Sequence, residues 1–409
     1  MPTDAHLFIG QLLLIMIGAR ICAELAFRVG IPAVIGEMGA GIVLGPSLLG
    51  WVTPSEFVSL LAEIGVILLL FEVGLDTDVT RLVRVGKQAT IVAVGGFLGP
   101  FLLAYGLCQY VFELSTLVSL FIAGTLTATS IGVTVRALTD VGRQDSPEGQ
   151  ITLGAAVLDD IFGVVLLALL FEFATSGHIN WNQTLEVFLY VTAFFFLAPV
   201  FANLLSAALC WVDQRPHTPG LIPSGVVGLV LMFAWLANLF GAPELLGGFA
   251  AGVALSRRFN LPFGSAFHVN ERFSQEVHSE MQPIVRLLSP LFFVSVGLSL
   301  DLSLVDWSSS AFWWLSLSLL AIAILGKFLG AMLIRENLHT RVAVGMAMVP
   351  RGEVGLIFAG IGYTTGIFDQ KTYTSLIMVI AYTTLLSPFW IKLYYGVYGH
   401  RVETRRPNT

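Results

Sequence analysis

The chain has 409 residues, 12% of them charged and 56% hydrophobic, with a net charge of −6. A soluble domain carries roughly 25% charged residues, so half that figure excludes an ordinary water-facing surface. No Lys/Arg block marks a nucleic-acid partner, and Cys22, Cys108 and Cys210, each inside an apolar run, form neither a disulfide framework nor a zinc site.

In chain order, the first apolar run covers 6–27. The residues before it carry no basic stretch and no cleavage site, so it reads as a retained helix rather than a signal peptide. Further runs cover 31–50, 57–75, 87–111, 114–137, 148–174, 184–212, 220–241, 243–256, 282–300, 308–334, 341–365 and 372–397. About 20 residues cross a hydrocarbon core of ~30 Å, and backbone polar groups find no water there, so helices are predicted. The period-two alternation of a membrane barrel is absent. The chain is therefore expected to be an all-α polytopic membrane protein with about 13 transmembrane helices.

Sixteen of the 21 lysines and arginines, from Arg28 to Arg406, fall on alternate connections, against Lys371 alone on the opposite side. Basic residues mark the cytoplasmic face, which predicts the N-terminus outside and the C-terminus inside. The long inner connection, 256–281, alternates Phe259, Phe263, Phe267 and Phe273 with charges and reads as a helix on the membrane surface. A short basic tail, 399–409, is expected after the last span.

A charge in mid-membrane costs from about 2.5 to over 10 kcal/mol and marks a functional candidate. Asp159 and Asp160 lie midway along the sixth run, flanked by apolar and small residues. Adjacent helical positions project about 100° apart, so the two carboxylates can serve different partners. Hard oxygen ligands suit a hard cation, and a desolvated carboxyl can hold either a proton or that cation. Lys327, between Gly326 and Gly330, either snorkels to the inner surface or pairs with Asp159 across the bundle.

Two runs are broken. Thr125, Thr127, Thr129, Ser130 and Gly132 interrupt the fifth, and Pro350, Arg351, Gly352 and Glu353 interrupt the twelfth. Polar breaks in corresponding positions of two halves point to discontinuous helices around a midplane site. Kinked helices with hydroxyls bonded back to their own backbone are the plainer alternative. Glu37 and Glu72 read as interfacial, and the seven histidines as residues of loops or tails.

At these motifs the chain resembles the monovalent cation:proton antiporter-2 family, which includes NapA-type sodium/proton antiporters and Kef-type potassium efflux systems. The resemblance rests on Gly36-Glu37 with Gly45-Pro46-Ser47, Phe71-Glu72-Val73-Gly74, Leu158-Asp159-Asp160, Pro290-Leu291-Phe292-Phe293, Gly326-Lys327 and Val349-Pro350-Arg351-Gly352-Glu353. It implies an inverted-repeat antiporter fold with two crossed discontinuous helices and an elevator-like core. Scaffold and dimerisation helices would occupy 1–76 and 220–300, the ion-transporting core 87–174 and 308–398, and a linker helix 184–212. Asp160 maps to the carrier of cation and proton, and Asp159 to the partner of the core lysine, Lys327. Thr127, Thr129 and Ser130 map to one crossing helix, and Pro350, Arg351 and Glu353 to the other.

The double Asp with a lysine resembles the electrogenic sodium branch. Kef-type relatives usually carry Gln-Asp and a nucleotide-binding regulatory domain, which is not expected here. The expectation is a secondary active Na⁺ (or Li⁺)/H⁺ antiporter, homodimeric, in a bacterial cytoplasmic membrane, with no cofactor and no enzymatic activity. Exchange of K⁺ for H⁺ is the alternative within the family. A cation channel is the rival of another class, although channels build selectivity from rings of ligands around an axis. An intramembrane aspartyl protease would need its two carboxylates on separate elements.

Overall fold

The computed structural model describes residues 4–77, 79–176, 185–194, 197–198, 200–201, 220–256 and 271–402, which form helices and turns without a strand among them. The first half holds α1 (Asp4–Arg28), α2 (Ala33–Leu44), α3 (Glu56–Asp76), α4 (Val79–Arg84) and α5 (Gly86–Tyr110). It continues through α6 (Thr116–Thr127), α7 (Ile131–Asp140) and α8 (Pro147–Ser176). After α9 (Leu185–Phe194) come α10 (Leu221–Leu239), α11 (Glu244–Leu255) and α12 (Glu271–Leu298). The chain closes with α13 (Ser310–Met332), α14 (Leu338–Ala347), α15 (Glu353–Thr364) and α16 (Gln370–Val402).

Among the described residues, nine helical paths are long and apolar enough to cross a membrane, the broken path Thr116–Asp140 included. Against the expected thirteen, the remaining apolar helices are short: α2, α9, α11 and most of α15. At 1.5 Å per residue, the 12 residues of α2 rise about 18 Å, less than a hydrocarbon core.

Three expectations are corrected here. The surface helix does not extend to Phe273, which is 2% exposed and packed in the core of α12 with Val277 and Met281. That helix starts at Glu271 and runs unbroken through Pro283 and Pro290; Phe259, Phe263 and Phe267 lie outside the described residues. Glu37 is 1% exposed rather than interfacial, because α2 packs against α1 on one side and α12 on the other. His278 and His339 lie on α12 and α14, not in loops.

Helix contacts fall into two groups. α1, α2, α3, α10, α11 and α12 pack mainly on one another, and α5, α6, α8 and α13 to α16 do likewise. α7 packs with α8 and α16, and also touches α2 and α3 where the groups meet. Glycines set the closest approaches. A Cβ on Gly252 of α11 would fall 2.1 Å from the Phe71 carbonyl oxygen of α3. One on Gly326 of α13 would fall 2.5 Å from the Pro100 nitrogen of α5, and one on Gly330 would fall 2.3 Å from the Gly96 nitrogen. Without a hydrophobic drive between helices in lipid, such close backbone packing supplies the attraction.

Proline leaves a gap that a charge fills. Pro290 has no N–H to give the carbonyl of Arg286 one helical turn back. The guanidinium of Arg20, on α1, donates to that carbonyl. At the N-terminal end of α16, Asp369 caps the helix by accepting from the Thr372 N–H at 2.9 Å. Hydrogen bonds from Thr372 hold its carboxyl below the usual carboxylate range.

The α5–α13 seam yields a direct check. Gly326→Ala forces a methyl into the Pro100 backbone and is expected to destabilise the protein by about 1–3 kcal/mol, read as a lower melting temperature in detergent. Gly106→Ala on the same α5, with no atom near its added methyl, should leave melting unchanged or raise it.

Candidate functional site

The break between α6 and α7 spans residues 128–130, and the break between α14 and α15 spans 348–352. Ala128 and Ser130 are extended (φ −61°, ψ 140° and φ −84°, ψ 109°), so α6 stops and α7 restarts across three residues. Each break leaves carbonyls at a helix C-terminus and N–H groups at an N-terminus without helical partners. In lipid these must be satisfied by protein. The two breaks satisfy each other.

The Ser130 N–H donates to the Pro350 carbonyl at 2.9 Å. The Thr134 hydroxyl donates to the Ala347 carbonyl at 2.8 Å, and the Thr129 hydroxyl lies 3.4 Å from that of Met348. Arg351 has no exposed surface, and its guanidinium reaches the opposite break. It donates to the Leu126 carbonyl from Nη2 at 2.6 Å and from Nε at 3.2 Å, to Ala323 at 3.1 Å and to its own Val349 at 3.0 Å. A cation on the C-terminal carbonyls of α6 opposes the negative end of that helix dipole. Thr384 of α16 donates its hydroxyl to the Arg351 carbonyl. Gly352 packs on Ser130, since a Cβ there would meet the Ser130 Oγ at 2.6 Å.

α8 runs past both breaks, touching α7, α14 and α15, and brings Asp159 and Asp160 beside them, 1% and 4% exposed. Lys327 of α13 is fully buried and donates from Nζ to Asp159 Oδ2 at 2.7 Å. The Thr129 hydroxyl donates to the same oxygen at 2.6 Å. Asp159 Oδ1 makes no hydrogen bond among the described residues. Lys327 also interacts electrostatically with Asp160 and Arg351. The tight α5–α13 seam explains its reach: Gly326 and Gly330 bring α13 onto α5, and Gly96 leaves room beside the Lys327 stem.

Of the residues singled out from sequence, Asp159, Lys327 and Thr129 are in direct contact, Asp160 is adjacent, and Ser130 and Pro350 join the two breaks. Arg351 serves carbonyls across the crossing. Thr127 is buried, but its hydroxyl donates to Gly124 of its own helix at 2.7 Å, the back-bonding alternative. The side chain of Glu353 lies outside the described residues. Sequence reading missed Thr134 and Thr384. Threonine in a membrane helix is common, and Thr384 also bonds back to Ile380 at 2.6 Å; nothing local tells that its hydroxyl reaches another helix.

The arrangement gathers oxygen ligands around one buried ammonium: two carboxylates, a threonine hydroxyl and unwound backbone. No group of three or more His, Cys, Asp or Glu side chains converges among the described residues. Such a set suits a hard, weakly held cation rather than a resident transition metal. The ion pair itself is checkable. Lys327→Ala leaves a buried carboxylate without its ammonium and is expected to cost about 3–5 kcal/mol. Lys327→Met combined with Asp159→Leu should recover much of that loss in the same melting measurement.

Residues 12–395 match the family described as sodium/hydrogen exchanger, transmembrane. The chain is 32% identical to a Na(+)/H(+) antiporter of Enterococcus hirae, over 95% of this chain and 98% of that protein. It is 31% identical to the Na(+)/H(+)-K(+) antiporter GerN of Bacillus cereus, over 95% and 96%. Its fold is similar to that of the sodium proton antiporter MjNhaP1 from Methanocaldococcus jannaschii, with a TM-score of 0.74 at 18% identity, covering 99% of this chain and 100% of that one.

Proposed function

Because the chain belongs to the sodium/hydrogen exchanger family, a family of multi-pass transporters rather than enzymes, we propose that it exchanges Na⁺ or Li⁺ for H⁺ by alternating access. One observation carries this reading: two adjacent carboxylates, 1% and 4% exposed, sit where two broken helices cross, with a single ammonium bound to the first. Lys327 and Thr129 occupy Asp159, and Arg351 spends its donors on carbonyls. Asp160, beside the Asp159–Lys327 pair and 4% exposed, is the carboxyl assigned to hold H⁺ or the cation, because an ionised site is costly to carry through lipid.

Neutralisation by H⁺ and by Na⁺ are mutually exclusive at one carboxylate, and this exclusion couples the fluxes. Protons load from outside onto Asp160 and the Asp159–Lys327 pair, and Na⁺ displaces them from inside. With two carboxylates and a lysine, more protons than cations cross per cycle, and the exchange is electrogenic.

In this reading the groups of helices have separate duties. Residues 87–174 and 308–398 form the moving core, and 1–76 and 220–300 form a scaffold that pairs two copies of the chain. Of the expected linker, 184–212, only 185–194, 197–198 and 200–201 are among the described residues. The segregation of helix contacts into two groups supports the division. The exposed leucines and isoleucines along α1, from Leu7 to Leu25, fit a surface covered by lipid or a second copy. The basic connections favour a cytoplasmic C-terminus in a bacterial inner membrane.

Proteoliposomes with an imposed pH gradient test the proposal. Added Na⁺ or Li⁺ is expected to collapse the gradient and K⁺ to do so weakly, if at all. Asp160→Asn should abolish the response. Cation flux without proton movement would establish a channel instead, and a response dominated by K⁺, the additional ion in the name of GerN, would reassign the cargo.

A further inference from the structure

Outside the crossing, the described residues hold two more buried carboxylates, Glu37 on α2 and Glu148 on α8. Glu148 is provided for. It accepts from the Tyr395 hydroxyl at 3.2 Å and lies 3.8 Å from Arg143. Glu37 is 1% exposed, and its Oε2 makes no hydrogen bond. A buried carboxylate left without a counter-charge is strongly destabilising, so what lies around Glu37 matters.

Arg136 and Asp140 on α7, and Arg20 on α1, are the charged groups within electrostatic reach of Glu37. Arg20 is committed to the Arg286 carbonyl and belongs to the same group of helices as Glu37. Arg136 belongs to α7, which touches α2 at the meeting of the two groups. Its Nε is buried without a hydrogen bond, and its ion pair with Asp140 is loose at 3.4 Å. An acceptor without a hydrogen bond therefore sits on one side of the seam, and on the other a guanidinium held loosely by Asp140 at 3.4 Å. Of the two cations near Glu37, only Arg136 changes its distance if the core moves against the scaffold. Glu37 is buried and the Arg136 side chain is 24% exposed; the attraction between them falls with separation, so such a pair distinguishes one core position from the other.

We propose that Glu37 and Arg136 act together as positioning residues across the seam between the two helix groups, their attraction setting the balance between the two positions of the core. This rests on the exchange reading and on α7 travelling with the core. Neither residue touches the transported ion. The pair acts on how often the core presents its site to each side, and hence on the apparent affinity measured from one side.

The experiment is a double-mutant cycle on the full chain in proteoliposomes, with Na⁺-driven proton movement as the readout. Glu37→Gln and Arg136→Gln are each expected to shift the apparent KM for Na⁺ by threefold or more in the same direction. The double variant should stay where either single variant lies. A purely structural role lowers the amount of active protein and leaves KM in place, so unchanged KM in both single variants overturns the proposal. Shifts that multiply in the double variant overturn it equally. If Glu37→Gln does not fold, the reversed pair Glu37→Arg with Arg136→Glu takes its place. Recovery of exchange supports the pairing, and failure beside a folded Arg136→Gln overturns it. Absence of exchange in the unaltered protein removes the exchange reading and this proposal with it. Exchange with independent variants removes the pairing alone.

Discussion

Interrupting a helix in the middle of a membrane is tolerated only if every freed backbone group finds a partner inside the protein. The rest of this structure follows from meeting that demand twice at one place. The C-terminal carbonyls of α6 are served by Arg351 from the other break. Those of α14 are served by Thr134 and Thr129 from the first. Each break thus supplies hydrogen bonds to the other. The N-terminal ends of α7 and α15, with their partial positive charge, meet where α8 passes. A helix bearing two carboxylates is suited to that position.

The same economy governs the buried charges. Lys327 is tolerated because Asp159 accepts a hydrogen bond from it at 2.7 Å, and it reaches Asp159 because glycines at 326 and 330 let α13 lie against the backbone of α5. Arg351 is tolerated because three backbone carbonyls receive it. Arg20 is exposed, and its guanidinium donates to the Arg286 carbonyl that Pro290 leaves without a helical donor. In each case an element that looks like a defect in isolation, whether a proline, a break or a charge, answers another.

Much of this was legible before any coordinates, because lipid imposes rules strict enough to read from composition. Runs of apolar residues marked helices, though not their number as full spans, and the interruptions read at 125–132 and 349–355 overlap the breaks at 128–130 and 348–352. Asp159, Asp160 and Lys327 stood out because charge is so rare elsewhere in the spans. What escaped notice depends on which helix lies beside which. Glu37 read as interfacial; its burial comes from α1, the helix just before it, and from α12, which is distant in sequence. Thr134 and Thr384 carry no local sign of reaching across, since a hydroxyl bonded to its own helix has the same sequence context. Phe273 read as one of a surface series, yet α12 continues past its prolines and draws that residue inward.

The bond from Arg20 to the Arg286 carbonyl has a bearing on how sequences of this kind drift. Proline at 290 and arginine at 20 form a single unit spread over two helices that are far apart along the chain. An ordinary residue at 290 would reclaim the carbonyl for its own helix and strand the guanidinium, while an apolar residue at 20 would leave the carbonyl bare. The two positions should therefore change in concert among descendants, making the first helix a prop for α12 and its prolines.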